Sequence, residues 1–171
     1  RVDPVRIFAE AGEKKIELLI IERLSEDTAE VFALPAKKLK VGTRITLKNG
    51  AEGEVLSIGD RGRRRIRFSL CLEDVMKIGF APLPPYIKRK FGEAEAYRNY
   101  DLERYQTVYS RNPGSIAAPT AGLHFDEEMI AKIAKRNEML EVNLSVGAAT
   151  FQQIEVENIR DHTLGEERIE I

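Results

Sequence analysis

Over the first seventy positions, apolar residues recur at period two and are cut at short intervals by polar or glycine-bearing turns. Val5-Arg6-Ile7-Phe8 leads into Glu10-Ala11-Gly12-Glu13, and an Ile- and Leu-rich stretch runs from Lys15 to Arg23. Ser25-Glu26-Asp27 turns the chain, and Thr28 to Leu34 alternates again. Arg44 to Lys48 then meets Asn49-Gly50, the strongest short hairpin signal, and Glu52 to Ile58 returns. After Gly59-Asp60-Arg61-Gly62, the positions Ile66, Phe68 and Leu70 continue the alternation from Arg64. About six short antiparallel strands at this spacing predict a small β-barrel, because closure removes exposed strand edges. A flat sheet with one wet face is the alternative.

The pattern then changes. Leu72 to Ile78 predicts a short helix stopped by Gly79. Pro82-Leu-Pro-Pro-Tyr-Ile87 must be extended, since proline fixes its own φ and restrains the residue before it. This places a domain junction nearby, with residues 1–72 as the barrel and 73–171 as part of an α/β body. Residues 93–110 have helical periodicity, with Tyr97, Leu102, Tyr105, Val108 and Tyr109 on an apolar and aromatic face. Asn112-Pro113-Gly114 ends it, Ser115 to Ala118 reads as a buried strand, and Pro119-Thr120-Ala121-Gly122 as the loop after it. Asp126 is a candidate N-cap, with Glu127 and Glu128 in the first turn and Met129, Ile130 and Ile133 facing inward. Leu140, Val142, Leu144 and Val146 alternate with polar residues as a further strand.

Strand, loop, helix, strand is a βαβ unit, which implies parallel pairing. Ligands in such sheets bind beyond the carboxyl ends of the strands. The loops at 119–124 and 147–150 are therefore expected on one rim, with Ser145 near it and the His124 ring facing the pocket.

Composition narrows the class. The chain has 171 residues, 43% hydrophobic and 32% charged, as expected of a globular protein rather than a disordered one. Its net charge is -1, so any nucleic-acid contact must come from a local patch. Arg61, Arg63, Arg64, Arg65 and Arg67 form one cluster, either a solvated hairpin tip or a phosphate-gripping patch. Lys88-Arg89-Lys90 is a second, which linker composition explains equally well. The single cysteine, Cys71, is expected to be a buried structural thiol in a reducing cytoplasm. No apolar run approaches the ~20 residues of a membrane span. The chain opens without Met and ends in an expected strand, which reads as part of a longer protein.

Two histidines and one cysteine without tight ligand spacing leave metal binding without support. Ser115 lacks the Gly-x-Ser-x-Gly setting of a hydrolase nucleophile, and there is no phosphate-loop or dinucleotide motif. What remains is His124, close in sequence to Thr120, Tyr105 and Tyr109, and His162 close to Glu166 and Glu167. A neutral imidazole removes a proton near pH 7. A backbone-bonded structural histidine is the competing reading at both positions.

Leu83-Pro-Pro-Tyr-Ile87, Tyr105-Gln-Thr-Val-Tyr-Ser110, Pro113-Gly114 and above all Ala117-Ala-Pro-Thr-Ala-Gly-Leu-His-Phe125 carry a resemblance, joined by Val146-Gly147 and Thr150-Phe151. The chain resembles the S-adenosylmethionine:tRNA ribosyltransferase-isomerases of queuosine biosynthesis, over the middle portion of that family's length. The resemblance implies S-adenosylmethionine as ribosyl donor, no metal, and a tRNA carrying the 7-aminomethyl-7-deazaguanine base as acceptor. The product is epoxyqueuosine, and adenine and methionine leave. It places His124 in base or proton-relay work, with Tyr105, Pro119, Thr120, Ala121, Gly122, Gly147, Thr150, His162 and Glu167 around the substrate. Arg61, Arg63, Arg64, Arg65, Lys88 and Arg89 become candidate tRNA contacts. A cytoplasmic protein with no membrane partner is expected, with a monomer as the default where the sequence leaves the oligomeric state open. The family pattern Leu-His-Val-Gly-x-Gly-Thr-Phe is met here by Leu144-Ser145-Val146-Gly147-Ala148-Ala149-Thr150-Phe151, so an imidazole is replaced by Ser145 and a glycine by Ala149. His-x-Met-His-x-Glu is met by His162-Thr-Leu-Gly165-Glu-Glu167, which loses a second imidazole. A non-catalytic tRNA- or protein-binding relative is the alternative these departures leave open.

Overall fold

A computed structural model of the chain describes residues 1–89, 93–151, 156–163, 165 and 167–170. They form two compact units, Pro4–Asp101 and Arg1–Asp3 with Leu102–Ile171. The division at residue 72 read from the sequence follows element type. The compact grouping carries the proline-rich segment and most of the following helix with the barrel.

The larger unit is a closed barrel of β1 (Arg6–Ala11), β2 (Lys14–Arg23), β3 (Thr28–Leu34), β4 (Arg44–Leu47), β5 (Glu52–Ile58) and β6 (Arg63–Phe68). Its order is β1-β2-β3-β6-β5-β4, and every neighbouring pair is antiparallel. Period-two alternation makes this possible, because one residue in two enters the lumen. Ile7, Ile16, Leu18, Val31, Ile45, Val55 and Ile66 are fully buried there. Each such side chain contributes roughly 1.5–3 kcal/mol. The ion pairs outside, such as Arg67–Glu54 at 3.3 Å, contribute at most about 1 kcal/mol. At the Asn49-Gly50 turn only Gly50 is left-handed (φ 83), and Asn49 instead accepts the Ala51 N–H through its side chain.

Arg64 follows the alternation with Ile66 and Phe68 but departs from the surface reading of the arginine cluster. It is 6% exposed, and its guanidinium donates to the carbonyls of Leu39 (2.7 Å), Ala36 (2.6 Å) and Arg63 (2.6 Å). Its register places it inward, so it closes one end of the barrel and is neither a solvated tip nor a free phosphate grip. The opposite end carries α1 (Leu72–Lys77), whose start is tied down by Leu72 N–H donating to Glu26 O. Cys71, expected buried, is half-buried and donates to Asp74 Oδ2 at 3.4 Å.

α2 spans Glu93–Arg104, shorter than the 93–110 expected. It buries only Ala94 and Asp101, and leaves Tyr97 and Tyr100 exposed. Polar bonds hold it instead. Arg89 grips Asp101 with two bonds (3.0 and 2.9 Å), and Arg98 donates to Gly79 O (2.8 Å) and Lys77 O.

The smaller unit contains α3 (Glu127–Ala134) and a two-stranded antiparallel sheet of β7 (Asn143–Ser145) and β8 (Arg168–Glu170). Asp126 caps α3 as expected, accepting from Met129 N–H at 2.7 Å. Met129, Ile130 and Ile133 are not fully buried: no residue of α3 is. Residues 115–118 are buried without forming a strand. Ser115 makes a parallel bridge to Val2, and Ile116 N–H donates to Val146 O at 2.9 Å. The segments 1–3, 115–116, 143–146 and 168–170 thus lie side by side, but among the described residues the expected parallel βαβ pairing of 115–118 with 140–146 is not formed and the strand pair is the antiparallel β7–β8.

Replacing Arg64 by Met would leave three carbonyls without their donor. It is expected to cost about 2–4 kcal/mol, read as a lower denaturant midpoint, while Arg64→Lys costs less because an ammonium still reaches one carbonyl.

Candidate functional site

The 119–125 loop is built on a close approach of backbone to side chain. Thr120–Gly122 make a single 3-10 turn, with Gly122 N–H donating to Pro119 O at 2.8 Å. A Cβ on Gly122 would lie 1.9 Å from Tyr109 Oη and 3.1 Å from Thr107 Cγ2. Only glycine admits that contact, and it joins the loop to the 105–109 segment. Tyr105 and Thr107 beneath it are 6% and 5% exposed, so Tyr105 packs inside the unit rather than lining an open surface. Pro119, Thr120, Ala121 and His124 are exposed. The His124 ring lies 4.1 Å from the Phe125 ring, tilted by 35°. It is turned toward solvent, and its recorded ring contact is Phe125.

A second junction lies at Gly147. Its N–H donates to Glu167 Oε2 at 2.5 Å, which brings together two predicted site residues twenty positions apart. Ser115 joins this strand end to the segment that feeds the 119–125 loop. Its hydroxyl donates to Leu144 O at 3.3 Å and accepts from Val146 N–H at 3.2 Å. Gln106 fixes the other side, bonding both N–H and C=O of Val2 at 2.9 Å. Sequence reading passed over Ser115 as a failed nucleophile and Gln106 altogether. Their positions beside Pro113-Gly114 and Tyr105 were the available signal.

The remaining candidates are dispersed. His162 is half-buried after a short 3-10 turn, and Thr150 is exposed. Leu164 and Glu166 of the 162–167 motif, and Lys90 of the basic knot, lie outside the described residues. Among the proposed tRNA contacts, Arg61, Arg65 and Lys88 are exposed. Arg63 pairs with Glu30 (3.1 Å), and Arg89 is taken up by Asp101 and by the Tyr97 ring, 4.5 Å from its guanidinium. Among the described residues, no group of three or more His, Cys, Asp or Glu side chains is placed to hold a metal ion. No helix there is long and apolar enough to cross a membrane.

A barrel joined in sequence to a partial α/β body, with a Gly-tightened loop ending in an imidazole, defines a class in which comparison with known proteins is informative. The family model described as "Queuosine biosynthesis protein" matches residues 1–171, and the chain belongs to that family. It is 41% identical over 170 residues to a protein of Thermosipho melanesiensis named S-adenosylmethionine:tRNA ribosyltransferase-isomerase, covering 98% of this chain and 48% of the relative. A protein of Clostridioides difficile with the same name is 41% identical over 174 residues, covering 98% and 49%. The chain therefore spans about half the length of these curated relatives. A solved structure from Thermotoga maritima, described as S-adenosylmethionine tRNA ribosyltransferase, aligns with a TM-score of 0.43 at 26% identity over 86% of this chain and 38% of that one.

The Gly122–Tyr109 contact predicts a specific response to Gly122→Ala. The Tyr109 ring is about half exposed and can swing aside, so the loss of stability should stay within about 1–3 kcal/mol. Displacement of Tyr109 should appear as a changed near-ultraviolet circular dichroism signal. An unchanged tyrosine signal would show that the close approach is absent in solution.

Proposed function

We propose that the chain is the barrel and partial body of an enzyme that transfers and isomerises the ribosyl group of S-adenosylmethionine. The acceptor is the 7-aminomethyl-7-deazaguanine base of tRNA, the product is epoxyqueuosine, and adenine and methionine are released. The observation that carries this reading is the family match along all 171 residues, at about 41% identity to relatives with that name. The retained 119–124 loop supports it, since a binding-only relative has less need of those residues.

The chemistry makes three demands. A C–H beside the sulfonium must lose a proton, adenine must leave, and a tRNA base must be held out of its stack. With serine at 145 and glycine at 165, neither position has an imidazole for proton transfer. We assign that work to His124, exposed at the end of the loop. Thr120 supplies a hydroxyl to the substrate and Pro119 and Ala121 border it, while the buried Gly122 sets the shape of the loop that binds it. Tyr105, buried below, holds the loop in place. Gly147 and Thr150, with Glu167 bonded to the Gly147 N–H, form the neighbouring part of the site, and His162 lies beside them in this reading. S-adenosylmethionine and tRNA are the substrates, no metal is required, and the cytoplasm is the compartment where they meet. Residues 1–72 are assigned as the barrel domain and 73–171 as part of the catalytic body.

Adenine release from S-adenosylmethionine by the full-length protein, in the presence of unmodified substrate tRNA, tests the reading. tRNA binding without adenine release would favour the non-catalytic relative. His124→Gln in the full-length protein should lower turnover by about 10²–10⁴-fold with the chain still folded. Near-normal turnover would remove the imidazole from the mechanism. Residues 1–171 alone should release no adenine, because half a body does not enclose a substrate pocket. Measurable turnover would overturn that division.

A further inference from the structure

The barrel has two chemically different ends. Since every neighbouring pair is antiparallel, the connections 11–14, 34–44 and 58–63 lie at one end. The connections 23–28 and 47–52 lie at the other, where the chain also enters and leaves. Glu22, Glu26, Asp27, Glu73 and Asp74 belong to the entry end. Lys37, Lys38, Lys40 and Arg61 belong to the far end, all exposed, with Glu13 and Asp60 as the acidic residues of its connections.

Two basic segments are brought together there. Arg64 binds the carbonyls of Ala36 and Leu39 from β6, and Leu39 is fully buried beneath them. A Cβ on Gly62 would lie 3.4 Å from Ala36 Cβ, so the 59–63 turn touches the 36–38 turn. The buried guanidinium thus fixes the lysine-bearing segment against the arginine-bearing one.

The lysines differ from several other cations of this unit. Arg6 pairs with Glu17, Lys48 with Glu95, Arg63 with Glu30, Arg67 with Glu54 and Lys77 with Asp74. Lys37, Lys38 and Lys40 form no ion pair among the described residues. Exposed lysines grouped on one connection without ion-pair partners among the described residues raise a local positive potential on a chain whose net charge is -1. The complementary partner is a polyanion with closely spaced charges.

We propose that this end of the barrel, with Lys37, Lys38 and Lys40 beside Arg61 and Arg65, is a docking surface for an RNA phosphate backbone. The proposal rests on the tRNA reading above and adds the place of contact. Arg64 is a positioning residue for this surface and does not touch the RNA. The contact positions the RNA and reads no sequence, because point-charge lysines grip phosphates and not base edges.

The test uses the full-length protein and substrate tRNA, with binding measured across a salt series. The triple variant Lys37→Glu, Lys38→Glu, Lys40→Glu should weaken binding at least tenfold at low salt. It should also lower the slope of log affinity against log salt by about two or more, since each lost phosphate contact removes roughly 0.7–0.9. The Lys→Gln triple should give a smaller loss in the same direction, the Lys→Arg triple should retain binding, and the melting temperature should hold. Wild-type tRNA binding with an unchanged slope in the Glu variant would overturn the surface and leave the family reading intact. Failure of the wild type to bind tRNA would overturn both. Loss of binding to phosphatidylserine vesicles with tRNA binding intact would reassign the surface to membranes and overturn the RNA proposal.

Discussion

Closure of the barrel depends on its shortest seam. β1 meets β4 through Ala9↔Leu47 and Glu10↔Thr46, while β1 and β2 share six residue pairs. Without that seam β1 and β4 would be open edges, with unpaired N–H and C=O groups. With it, the inward row from every strand faces a common lumen, and Ile7, Leu18, Ile45 and Ile66 leave water together. A short seam suffices because the lumen side chains behind it hold the sheet in register. A one-residue slip would turn the apolar row outward.

Filling the barrel leaves its ends to be closed, and the two ends use different chemistry. At the entry end α1 covers the opening, burying Leu72, Val75 and Met76, while Phe80 bridges Arg6 beside β1 and lies edge-on to the outward Phe8 ring at 4.9 Å. At the far end the cover is a buried charge. A guanidinium is suited to that place because its planar fork can satisfy several carbonyls at once, whereas an ammonium acts as a single point. Burying a charge is costly unless its donors are satisfied, and Arg64 finds three carbonyl acceptors within 2.7 Å. The same residue closes the lumen and orders the turn above it.

The barrel was legible because its signal is local. Alternation located all six strands to within a few residues, and Asn49-Gly50 located a turn. Arg64 was only half legible: it is in phase with Ile66 and Phe68, but an arginine inside an arginine run reads as surface, and its carbonyl partners at Ala36 and Leu39 are brought to it only by the closed ladder. The body was harder for the same reason. Helical periodicity over 93–110 overran the end of α2 at Arg104, because Tyr105 and Thr107 are buried by tertiary packing rather than by a helix face. Ser115 and Gln106 were missed because their partners are backbone groups of distant segments, which no spacing rule connects. The 119–125 loop, in contrast, could be read from its residue types, since Pro, small residues and Gly before His already imply close backbone approach.

Of the three departures from the pattern that the resemblance implies, those at 145 and 165 bear on chemistry more than on scaffold. Glu167 bonds the backbone N–H of Gly147, and Ser115 bonds backbone groups of Leu144 and Val146, so neither contact uses the side chain at 145 or 165. What changes is the side chain at 145 and at 165, where imidazoles give way to a hydroxyl and to hydrogen. A backbone support tolerates such exchange, because it asks nothing of those side chains. Proton transfer does not tolerate it, since a hydroxyl is a poor base near neutral pH. Under the proposed reaction, the proton chemistry open to this chain therefore narrows toward the remaining imidazoles, and of these His124 is the one attached to a loop whose shape a single glycine enforces.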